Sequence, residues 1–288
     1  MRLVVYNESK VGLVKKDGQV VDVSDLVGAG ADEWPPVAVT RLIGGFGRLR
    51  PRLEEALGSR SGTPPESVRL AAPVPFPSKI IAAPANYRLH VQEMSTPQMR
   101  EVVKQEVHAI DQYGVFLKAP SSVVGPGSTI ELPFRDRRTD HEVELGFVIG
   151  KRARNVTRAD AMSYVFGYTG VLDITVRGGE DRSTRKSFDS FTPLGPALIT
   201  ADEVPDPHNL QLKLWVNGEL RQNGNTKDMI WNIPKLIEYA SHVMTLHPGD
   251  VVSSGTPDGV GPLKPGDEVT IEIERIGRMS VSVDLREP

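Results

Sequence analysis

The sequence predicts a mainly β protein with some helix, an α+β chain in which strands outnumber helices. Its 288 residues include 27 glycines and 23 prolines, a high share of turn-forming residues that indicates many short strands. Short runs rich in β-branched and aromatic residues recur along the chain, whereas helical spacing of apolar residues is rare. A chain of this length can hold one large domain or two modest ones.

The amino-terminal part reads as a small α+β unit. Residues 2–6, 10–15 and 19–23 are β-rich runs, and Lys16-Asp17-Gly18 supplies a turn between the last two. Short helices are predicted over 37–43 and 51–56. Residues 59–77 are dense in Pro, Ser and Gly, which is typical of a linker. We therefore predict a small domain at 1–72 and a larger one at 73–288.

The larger part is predicted to consist mostly of strands. Their candidate segments are 80–83, 115–117, 129–132, 141–149, 165–174, 197–200, 211–216, 250–254, 268–273 and 280–283. Helices are predicted at 158–164, after the N-cap candidate Thr157, and at 233–246, where Pro234 lies in the first turn. Residues 92–109, rich in Gln, Glu and Met, are predicted to be a partly ordered helix or a lid.

Composition excludes several classes of function. Lysine and arginine total 34 against 37 acidic residues, a net charge of −3, which gives no electrostatic footprint for nucleic acid or an anionic membrane. Cysteine is absent, so disulfides, thiolate metal sites and cysteine nucleophiles are excluded. No secretory leader or apolar run of about 18 residues is present, and we expect a cytoplasmic protein. Phosphate-binding, serine-hydrolase and zincin motifs are also missing.

Three acidic residues in apolar strands are candidate metal ligands. Glu142 and Glu144 are two residues apart, so on a strand both point to the same face, where two carboxylates repel unless a cation lies between them. An all-oxygen site of this kind suits Mg²⁺, Mn²⁺ or Ca²⁺. Asp173 is a third lone acid in an apolar run. A solvated strand face, and a turn cap at Asp173, are the alternatives.

A histidine and a glutamate are spaced for general-base chemistry. His90 and Glu93 are neighbours on a helical turn, where the carboxylate can orient the imidazole to accept a proton from water. A plain surface pair is the alternative. Lys186 could hold an anionic substrate or a developing enolate, and Thr256 lies in a glycine-rich turn that could bind a carboxylate or be an ordinary loop.

Taken together, these segments resemble the fumarylacetoacetate hydrolase family, over roughly residues 76–285. The resemblance rests on an ordered series of motifs rather than on one. The series is Lys79-Ile-Ile, Asn86-Tyr-Arg-Leu-His90, Lys118-Ala-Pro-Ser-Ser-Val-Val-Gly-Pro-Gly127, Glu142-Val-Glu144, Gly167-Tyr-Thr, Asp173-Ile-Thr, Lys186-Ser-Phe-Asp, Val216-Asn-Gly-Glu, Gln222-Asn-Gly-Asn-Thr226, Leu246-His-Pro-Gly-Asp250, Gly255-Thr-Pro-Asp-Gly-Val-Gly261 and Leu263-Lys-Pro-Gly-Asp267.

The resemblance implies a mixed β-sandwich roll with a small N-terminal domain, assembled as a homodimer. It implies one Mg²⁺ or Mn²⁺ per subunit, held by Glu142, Glu144 and Asp173. The family's general-base dyad matches His90 and Glu93, on a mobile segment that orders over the substrate, and residues 92–113 would then be the lid. The residues matching substrate-side positions are Lys186, Thr256, Lys118 and Arg177.

One stretch departs from the family pattern. Many members follow the position of Arg177 with an acidic residue and, two positions later, a glutamine, whereas this chain has Gly178-Gly179-Glu180-Asp181. A glutamine donates and accepts hydrogen bonds, but an ionised glutamate only accepts. If Glu180 faces the site it would repel a substrate carboxylate. It could instead bind a hydroxylated substrate or point to solvent.

The family implies an enzyme acting on a small 2-oxo or diketo acid. The first hypothesis is metal-dependent hydrolysis of a carbon–carbon bond in an acylpyruvate-like 1,3-diketo acid. Decarboxylation of oxaloacetate and isomerisation of a 2-hydroxy-diene diacid would use the same metal and enolate without an attacking water. A protein that only binds a 2-oxo acid is the non-enzymatic alternative. Motifs shared by the whole family do not separate these activities.

Overall fold

The structure is a computed structural model that describes residues 1–30, 33–104 and 106–287. Its amino-terminal elements are β1 (Arg2–Tyr6), β2 (Lys10–Val14), β3 (Val20–Asp22), α1 (Ser24–Val27), α2 (Ala38–Ser59) and β4 (Leu70–Ala71). The three predicted amino-terminal strands are therefore confirmed. The segments predicted as short helices, 37–43 and 51–56, are helical from Ala38 onward, but the predicted break between them is wrong, because both belong to the one continuous helix α2 with Pro51 inside it.

The reason for this difference lies on the buried face of α2. Glycines 44, 45 and 47 and Pro51 suggest a break in the sequence, since both residue types disfavour helix interiors. Apolar residues nevertheless continue at helical spacing through this segment and are buried against the sheet. They are Ala38, Val39, Leu42, Ile43, Leu53 and Ala56. Burial of this stripe outweighs the weak local propensity.

The remaining elements are mostly strands, as predicted. The strands are β5 (Ile80–Ala82), β6 (Phe116–Lys118), β7 (Val123–Val124), β8 (Thr129–Leu132), β9 (Thr139–His141), β10 (Val143–Ile149), β11 (Val165–Leu172), β12 (Thr175–Val176), β13 (Thr192–Thr200), β14 (Gln211–Val216), β15 (Glu219–Asn225), β16 (Val251–Ser253), β17 (Gly261–Pro262), β18 (Glu268–Ile273) and β19 (Gly277–Leu285). The helices are α3 (Arg88–Met94), α4 (Pro97–Val103), α5 (Ile110–Tyr113), α6 (Arg182–Arg185) and α7 (Ile233–Val243).

Two larger sheets form the body of the molecule. One runs in the order β3-β2-β1-β13-β11-β10-β16-β5-β6, with β4 beside β1 and β7 beside β13. The other has the order β15-β14-β18-β19-β8. Strands β10, β11 and β13 of the first sheet pack against β14, β18 and β19 of the second. The predicted fold class, mainly β with a sandwich-like roll, is confirmed.

The central strand β10 explains how polar groups enter the core. Leu145 and Phe147 face the second sheet, within one apolar core. Val148 faces the opposite side, within a second core that includes Leu3 and Leu42 from the amino-terminal part. Both faces of β10 are therefore covered, so every residue of this strand is buried. The predicted division into 1–72 and 73–288 stays a prediction. Strand β1 pairs directly with β13, so the amino-terminal strands extend the large sheet.

Two predicted strands each divide in two, and the breaks matter for the site. The 141–149 strand is divided at Glu142 into β9 and β10, and the 165–174 strand is interrupted at Asp173 between β11 and β12. Strands β12, β9 and β17 form a small separate sheet. The backbone N–H of Asp173 donates to the carbonyl of Glu142 at 2.9 Å. Both acids thus lie where the chain leaves the large sheet for the small one.

Other elements differ in extent from the prediction. The helix predicted over 158–164 is only the single 3₁₀ turn Ala161–Tyr164, and the predicted 233–246 helix ends at Val243. Strand β15 was not predicted, because most of its residues are exposed and lack apolar alternation. No helix among the described ranges is long and apolar enough to cross a bilayer.

Candidate active site

A cluster of three buried carboxylates lies at the two strand breaks. Glu142, Glu144 and Asp173 each offer one oxygen, and the three oxygens lie within 4.8 Å of one another. The side chains of all three are almost fully shielded from solvent. The predicted same-face arrangement of Glu142 and Glu144 places them together, and the register of β10 with β11 brings in Asp173.

Three buried cations contact two of these acids. Lys186 Nζ bridges them, donating to Glu142 Oε2 at 2.8 Å and to Asp173 Oδ2 at 2.5 Å. Arg177 Nη2 donates to the other oxygen of Glu142 at 2.8 Å. Lys118 Nζ donates to Asp173 Oδ1 at 2.5 Å and to the carbonyl of Phe191 at 2.8 Å. These contacts fix the carboxylate orientations.

Glu144 is held by neutral donors instead. Its Oε2 accepts from Ser253 Oγ at 2.5 Å and from the backbone N–H of Gly255 at 2.7 Å. Both donors belong to β16 and the turn that follows it. Glu144 is thereby tied to the glycine-rich turn 255–261, for which the sequence left open a carboxylate-binding turn and an ordinary loop.

The two neighbouring glutamates have opposite electrostatic surroundings. Burial raises the pKa of Glu142, but the charges of Lys186 and Arg177 outweigh it and hold that pKa below its ordinary range. Burial, together with the negative charge of Asp173, raises the pKa of Glu144 to about 8. Burial lowers the pKa of Lys118, and the charge of Asp173 opposes that shift.

The His90–Glu93 pair sits on helix α3 above the acids. His90 Nδ1 lies 3.2 Å from Glu93 Oε2, and the imidazole is buried. Glu93 Oε1 accepts from the backbone N–H of Gly259 at 3.1 Å, so the same carboxylate joins the helix to the glycine-rich turn. With Nδ1 engaged by Glu93, Nε2 is the nitrogen left to accept a proton.

The start of α3 is anchored by a buried amide. Asn86 Nδ2 donates to the carbonyls of Trp231 and Ser254, at 2.9 and 2.7 Å, and its Oδ1 accepts from the Trp231 N–H at 2.7 Å. Asn86 therefore links the beginning of the His90 helix to the end of β16. Every side-chain donor and acceptor in this link is used inside the protein.

The predicted lid covers the site with short helices. It comprises α3, α4, the following segment and α5, apart from Gln105, which lies outside the described residues. Met94, Met99 and Val103 pack against Val260 of the glycine-rich turn. At the far end, Trp231 Nε1 donates to Asp111 Oδ1 at 2.6 Å. The lid is thus fastened at both ends.

A small internal cavity of about 50 Å³ lies between the lid and the acids. Its walls combine acidic, basic and apolar residues. They include Ala83, His90, Met94, Val103, Glu106, Glu142, Glu144, Arg177, Arg182, Arg185, Lys186 and Thr256. A cavity that is lined by several cationic side chains beneath the lid suits a small anionic substrate.

The Gly-Thr-Pro turn is held in place by one buried glutamine. Thr256 Oγ1 donates to the carbonyl of Val143 at 2.9 Å and accepts from Gln222 Nε2 at 2.8 Å. Gln222 Oε1 accepts from the Val143 N–H at 3.0 Å, and its amide also donates to the Pro257 carbonyl at 2.9 Å. Gln222 lies on strand β15, which was not predicted from the sequence, so this strand positions the glutamine side chain.

The structure brings most of the predicted residues together and separates two of them. His90, Lys186, Arg177 and Thr256 line the cavity with Glu142 and Glu144. Lys118 lies behind Asp173, fully buried. Glu180 points to solvent, where it forms a two-pronged ion pair with Arg137 at 2.8 Å. Of the three alternatives for Glu180, the structure thus shows the solvent-facing one.

Several residues at the site were missed by the sequence reasoning. Asp140 is fully buried and accepts from Arg177 Nε at 2.7 Å and from Arg138 Nε at 2.6 Å, so it holds Arg177 against Glu142. Arg182 and Arg185 line the cavity from α6. The available signal was the high density of arginine between Asp173 and Lys186. The sequence alone does not show which of these arginine side chains point into the protein.

The donor set fits a hard divalent cation. Carboxylate oxygens are the ligands that Mg²⁺ and Mn²⁺ prefer, and three of them lie within 4.8 Å of one another. The neutral donors on Glu144 and the cations on Glu142 and Asp173 are the outer partners that orient metal-binding carboxylates.

Comparison with known proteins agrees with this geometry. Residues 79–284 match the family model described as fumarylacetoacetate (FAA) hydrolase C-terminal. The chain is 46% identical to a maleylpyruvate hydrolase of Aquipseudomonas alcaligenes over 285 residues, 98% of this chain and 99% of that one. It is also 41% identical to a mitochondrial oxaloacetate tautomerase of Xenopus laevis, over 74% of this chain and 68% of that one.

The fold also matches solved structures over its whole length. A crystal structure of maleylpyruvate hydrolase from Sphingobium sp. SYK-6, in complex with a manganese(II) ion and pyruvate, has a TM-score of 0.88. The two chains are 41% identical, and the match covers 100% of each. That relative holds the same kind of metal that the acidic cluster fits.

Proposed function

This chain belongs to the fumarylacetoacetate hydrolase family, and we propose from that membership that it hydrolyses a carbon–carbon bond in an acylpyruvate-like 1,3-diketo acid, with Mg²⁺ or Mn²⁺ as cofactor. The observation that carries the proposal is that His90, paired with Glu93, lines the same cavity as Glu142 and Glu144 of the buried three-carboxylate cluster. Maleylpyruvate is the first substrate to test, because full-length relatives act on it.

The metal site is proposed to be Glu142, Glu144 and Asp173. A bound divalent ion would supply Lewis-acid stabilisation of negative charge on the pyruvate end of the substrate. Lys186, fixed between Glu142 and Asp173, is positioned to donate to the same developing charge. Arg177 is held by Asp140 and Glu142, so its proposed part in substrate binding is mainly electrostatic.

His90 is the proposed general base. Nε2 takes a proton from water, and the resulting hydroxide bonds to the acyl carbonyl carbon. The bond between that carbon and the methylene carbon then breaks, and the electron pair leaves with the pyruvate enolate. Protonation of that enolate carbon gives pyruvate, and the other product is the free acid. Glu93 stabilises the imidazolium formed in the first step, as its contact with Nδ1 allows.

Enclosure of the reaction supports hydrolysis as well. The lid packs through Met94, Met99 and Val103 against Val260 of the turn that carries Thr256, and Met94 and Val103 also line the cavity, so this packing limits the access of bulk water. Exclusion of bulk water strengthens the electrostatic interactions of Lys186 and the metal with the enolate. The water used as nucleophile is then one bound beside His90.

A second activity has support from the same site. Tautomerisation, isomerisation or decarboxylation of a 2-oxo diacid needs the metal and Lys186 but no attacking water. The similarity to an oxaloacetate tautomerase favours this class, although it covers less of the chain than the maleylpyruvate hydrolase match. The buried His–Glu pair favours hydrolysis. A protein that only binds 2-oxo acids would have no use for that pair.

Product analysis by NMR separates these activities. Purified protein with Mn²⁺ is offered maleylpyruvate, acetylpyruvate and oxaloacetate in parallel. We expect pyruvate plus the free acid, with one solvent oxygen incorporated and loss of activity on adding EDTA. Enol–keto exchange of oxaloacetate, or its conversion to pyruvate and CO₂ above the metal-only rate, without hydrolysis of either acylpyruvate would reject the hydrolase proposal.

We also propose that the protein is a homodimer that works in the cytoplasm, in catabolism of an aromatic or sugar-derived compound. The dimer follows from the family resemblance. The lack of cysteine fits a reducing compartment. Light scattering of the purified protein tests the dimer, for which we expect twice the chain mass of 31.5 kDa.

A further inference from the structure

Two arginines in the active-site cavity form no ion pair with any residue that the structure describes, and they point to a second carboxylate on the substrate. Arg182 and Arg185 lie one turn apart on α6 and both line the cavity shared with Glu142, Glu144 and His90. We infer that they bind the distal carboxylate of a 1,3-diketo diacid and so select diacids over monoacids. This inference rests on the proposed function and deepens it.

The first argument is the unmatched charge of Arg185. Its side chain is buried, and within the described ranges it donates only to backbone carbonyls, from Nε to Glu180 at 3.0 Å and from Nη1 to Val176 at 3.5 Å. A buried cation without a counter-charge is costly, so such groups are normally paired. A guanidinium that keeps free N–H donors toward a ligand cavity is suited to receive a carboxylate in a two-pronged contact.

The second argument is the arrangement of Arg182. Its guanidinium carbon lies 3.8 Å from the centre of the Tyr113 ring, which belongs to the lid. Stacking occupies the flat face of the guanidinium and leaves the N–H donors at its edge available. Closing the lid therefore sets the orientation of Arg182 without using up its hydrogen bonds. No ion pair of Arg182 exists among the described residues.

The third argument is that the other cavity cations are already paired. Arg177 is engaged by Asp140 and Glu142, and Lys186 by Glu142 and Asp173. Glu106 of the lid also lines the cavity, but its carboxylate is largely exposed and lies 3.8 Å from His108. Among the described residues that line the cavity, Arg182 and Arg185 are thus the two arginines that form no ion pair with a carboxylate.

Charge balance then favours a diacid. The 2-oxo acid end of the substrate brings one carboxylate to the metal end of the cavity, leaving both α6 arginines unmatched. Burial and the positive charges of Arg177 and Arg182 lower the pKa of Arg185, and the negative charges of Glu142 and Asp173 offset only part of that shift. A second carboxylate on the acyl side would relieve the repulsion from those positive charges. A monoacid such as acetylpyruvate would not.

Substrate selectivity in arginine variants tests the inference. The probes are maleylpyruvate, which has two carboxylates, and acetylpyruvate, which has one. We expect the ratio of their kcat/KM values to fall about 100-fold in Arg185→Gln and about tenfold in Arg182→Gln, the scale of a lost charge-assisted contact in a desolvated site. Arg152→Gln is the control, since Arg152 is exposed and lies outside the cavity. Its ratio should match that of the unmodified protein.

A binding measurement accompanies the kinetics. Calorimetry should show a matching loss of affinity for maleate, the acid product, in Arg185→Gln. An unchanged selectivity ratio in both variants would overturn the inference, as would an equal loss of both substrates. If Arg185→Gln does not fold, Arg182→Gln and Arg185→Lys decide by the same ratio, the lysine variant being expected to keep the charge and lose the two-pronged contact.

The same experiments separate this inference from the proposed function. If the unmodified protein binds maleate in an Arg185-dependent way but hydrolyses neither acylpyruvate, the hydrolase proposal fails and the carboxylate site stands. If it hydrolyses acetylpyruvate at least as well as maleylpyruvate, the hydrolase proposal stands and the carboxylate site fails.

Discussion

At the scale of single residues, Lys186 connects the two functions of the cavity. Its ammonium group bridges Glu142 and Asp173, so it stabilises the acid cluster and faces the cavity at once. The bridge also holds the charge proposed to stabilise the enolate beside two of the proposed metal ligands. A lysine on a flexible surface loop would not give this fixed distance.

His90 carries the first prediction. Replacing it with alanine removes the proposed base, and we expect kcat for acylpyruvate hydrolysis to fall about 100- to 10,000-fold, the range for loss of general-base catalysis. We propose that pyruvate binds at the metal end without contacting the imidazole, so its affinity should stay within about threefold. Steady-state kinetics and calorimetry measure the two effects.

His242→Ala is the matched control, because His242 is exposed on α7, away from the cavity. It should retain the kinetics of the unmodified protein. Undiminished hydrolysis by His90→Ala would show that another group activates water.

Residue-scale reasoning from the sequence was reliable where chemistry is local. The E-x-E spacing placed Glu142 and Glu144 on one side of a strand, and the i, i+3 spacing placed His90 beside Glu93. The sequence did not single out Asp140 or Arg185, because their roles depend on which distant side chains they contact in the folded chain. A buried arginine and an exposed one have the same letter in the sequence.

At the scale of elements, the glycine-rich turn after β16 organises the site. Gly255 has a φ of +94°, and a Cβ built there would lie 2.6 Å from the Cβ of Asn86. Its N–H donates to Glu144, while Gly259 donates to Glu93. One turn therefore fixes both a candidate metal ligand and the orienting group of the base.

This geometry gives the second prediction. Gly255→Ala forces a side chain into a left-handed backbone position and against Asn86, so the free energy of unfolding should fall by about 1–3 kcal/mol. Mn²⁺ affinity should fall by about tenfold or more, because the donor to Glu144 shifts. Denaturant unfolding and Mn²⁺ titration measure these changes.

Gly47→Ala provides the comparison within the same chain. Gly47 lies inside α2, and a Cβ there would meet no atom within 4 Å. This variant should be as stable as the unmodified protein or slightly more stable. Equal behaviour of the two alanine variants would contradict the role assigned to Gly255.

The lid carries the third prediction. Val103 is buried against Met94, Met99 and Val260, so Val103→Ser removes about 1.5–3 kcal/mol of apolar burial that holds the lid closed. We expect KM to rise roughly tenfold. Protease cleavage within the lid should become faster. Kinetics and limited proteolysis are the measurements.

Leu89→Ser tests whether any polar change in the lid has this effect. Leu89 lies on α3 with 59% of its surface exposed, so its replacement should leave KM and cleavage unaltered. If both serine variants raise KM equally, packing on Val260 is not what closes the lid.

Elements were predicted well where burial follows a simple period, and poorly where it does not. Strands at 211–216 and 268–273 match the sequence prediction to the residue. Strand β15 was missed because Gln222 is its one fully buried residue, and a polar one. Helix α2 was divided in two because local glycines and a proline obscured a buried stripe that only the sheet beneath it makes favourable.

At the scale of the whole molecule, the site lies where three sheets meet. Strands β10 and β11 of the large sheet end at Glu142 and Asp173, and β9 and β12 of the small sheet continue from them. The five-stranded sheet contributes Gln222 to the same region. Because the acids belong to the rigid centre of the fold, metal binding should stabilise the whole chain.

That stabilisation is the fourth prediction. Mn²⁺ at 100 times its Kd adds about 2.7 kcal/mol to the folded state. For a chain of this size each kcal/mol raises Tm by about 2–4 °C, so Mn²⁺ should raise Tm by roughly 5–10 °C. EDTA should reverse the shift, and Asp173→Ala should abolish it. Differential scanning fluorimetry measures the shift without any substrate.

Glu131→Ala serves as the control for this experiment. Glu131 is an exposed acid on β8 and takes no part in the acidic cluster. It should keep the full Mn²⁺-induced shift. A shift retained by Asp173→Ala would reject Asp173 as a ligand.

The mainly β class, most of the strands, the Glu142–Glu144 pair and the His90–Glu93 pair could be predicted from the amino-acid sequence. Each of these features depends on periodicity or on short spacing along the chain. The family resemblance implied that Asp173 joins Glu142 and Glu144, and the structure brings the three carboxylates together. The tertiary structure was needed to show that Asp140 and Gln222 position the site, and that Arg185 faces the cavity while Glu180 faces solvent. The physical reason is that burial and pairing of a charge are set by strand register and sheet packing between distant segments, which local sequence patterns do not encode.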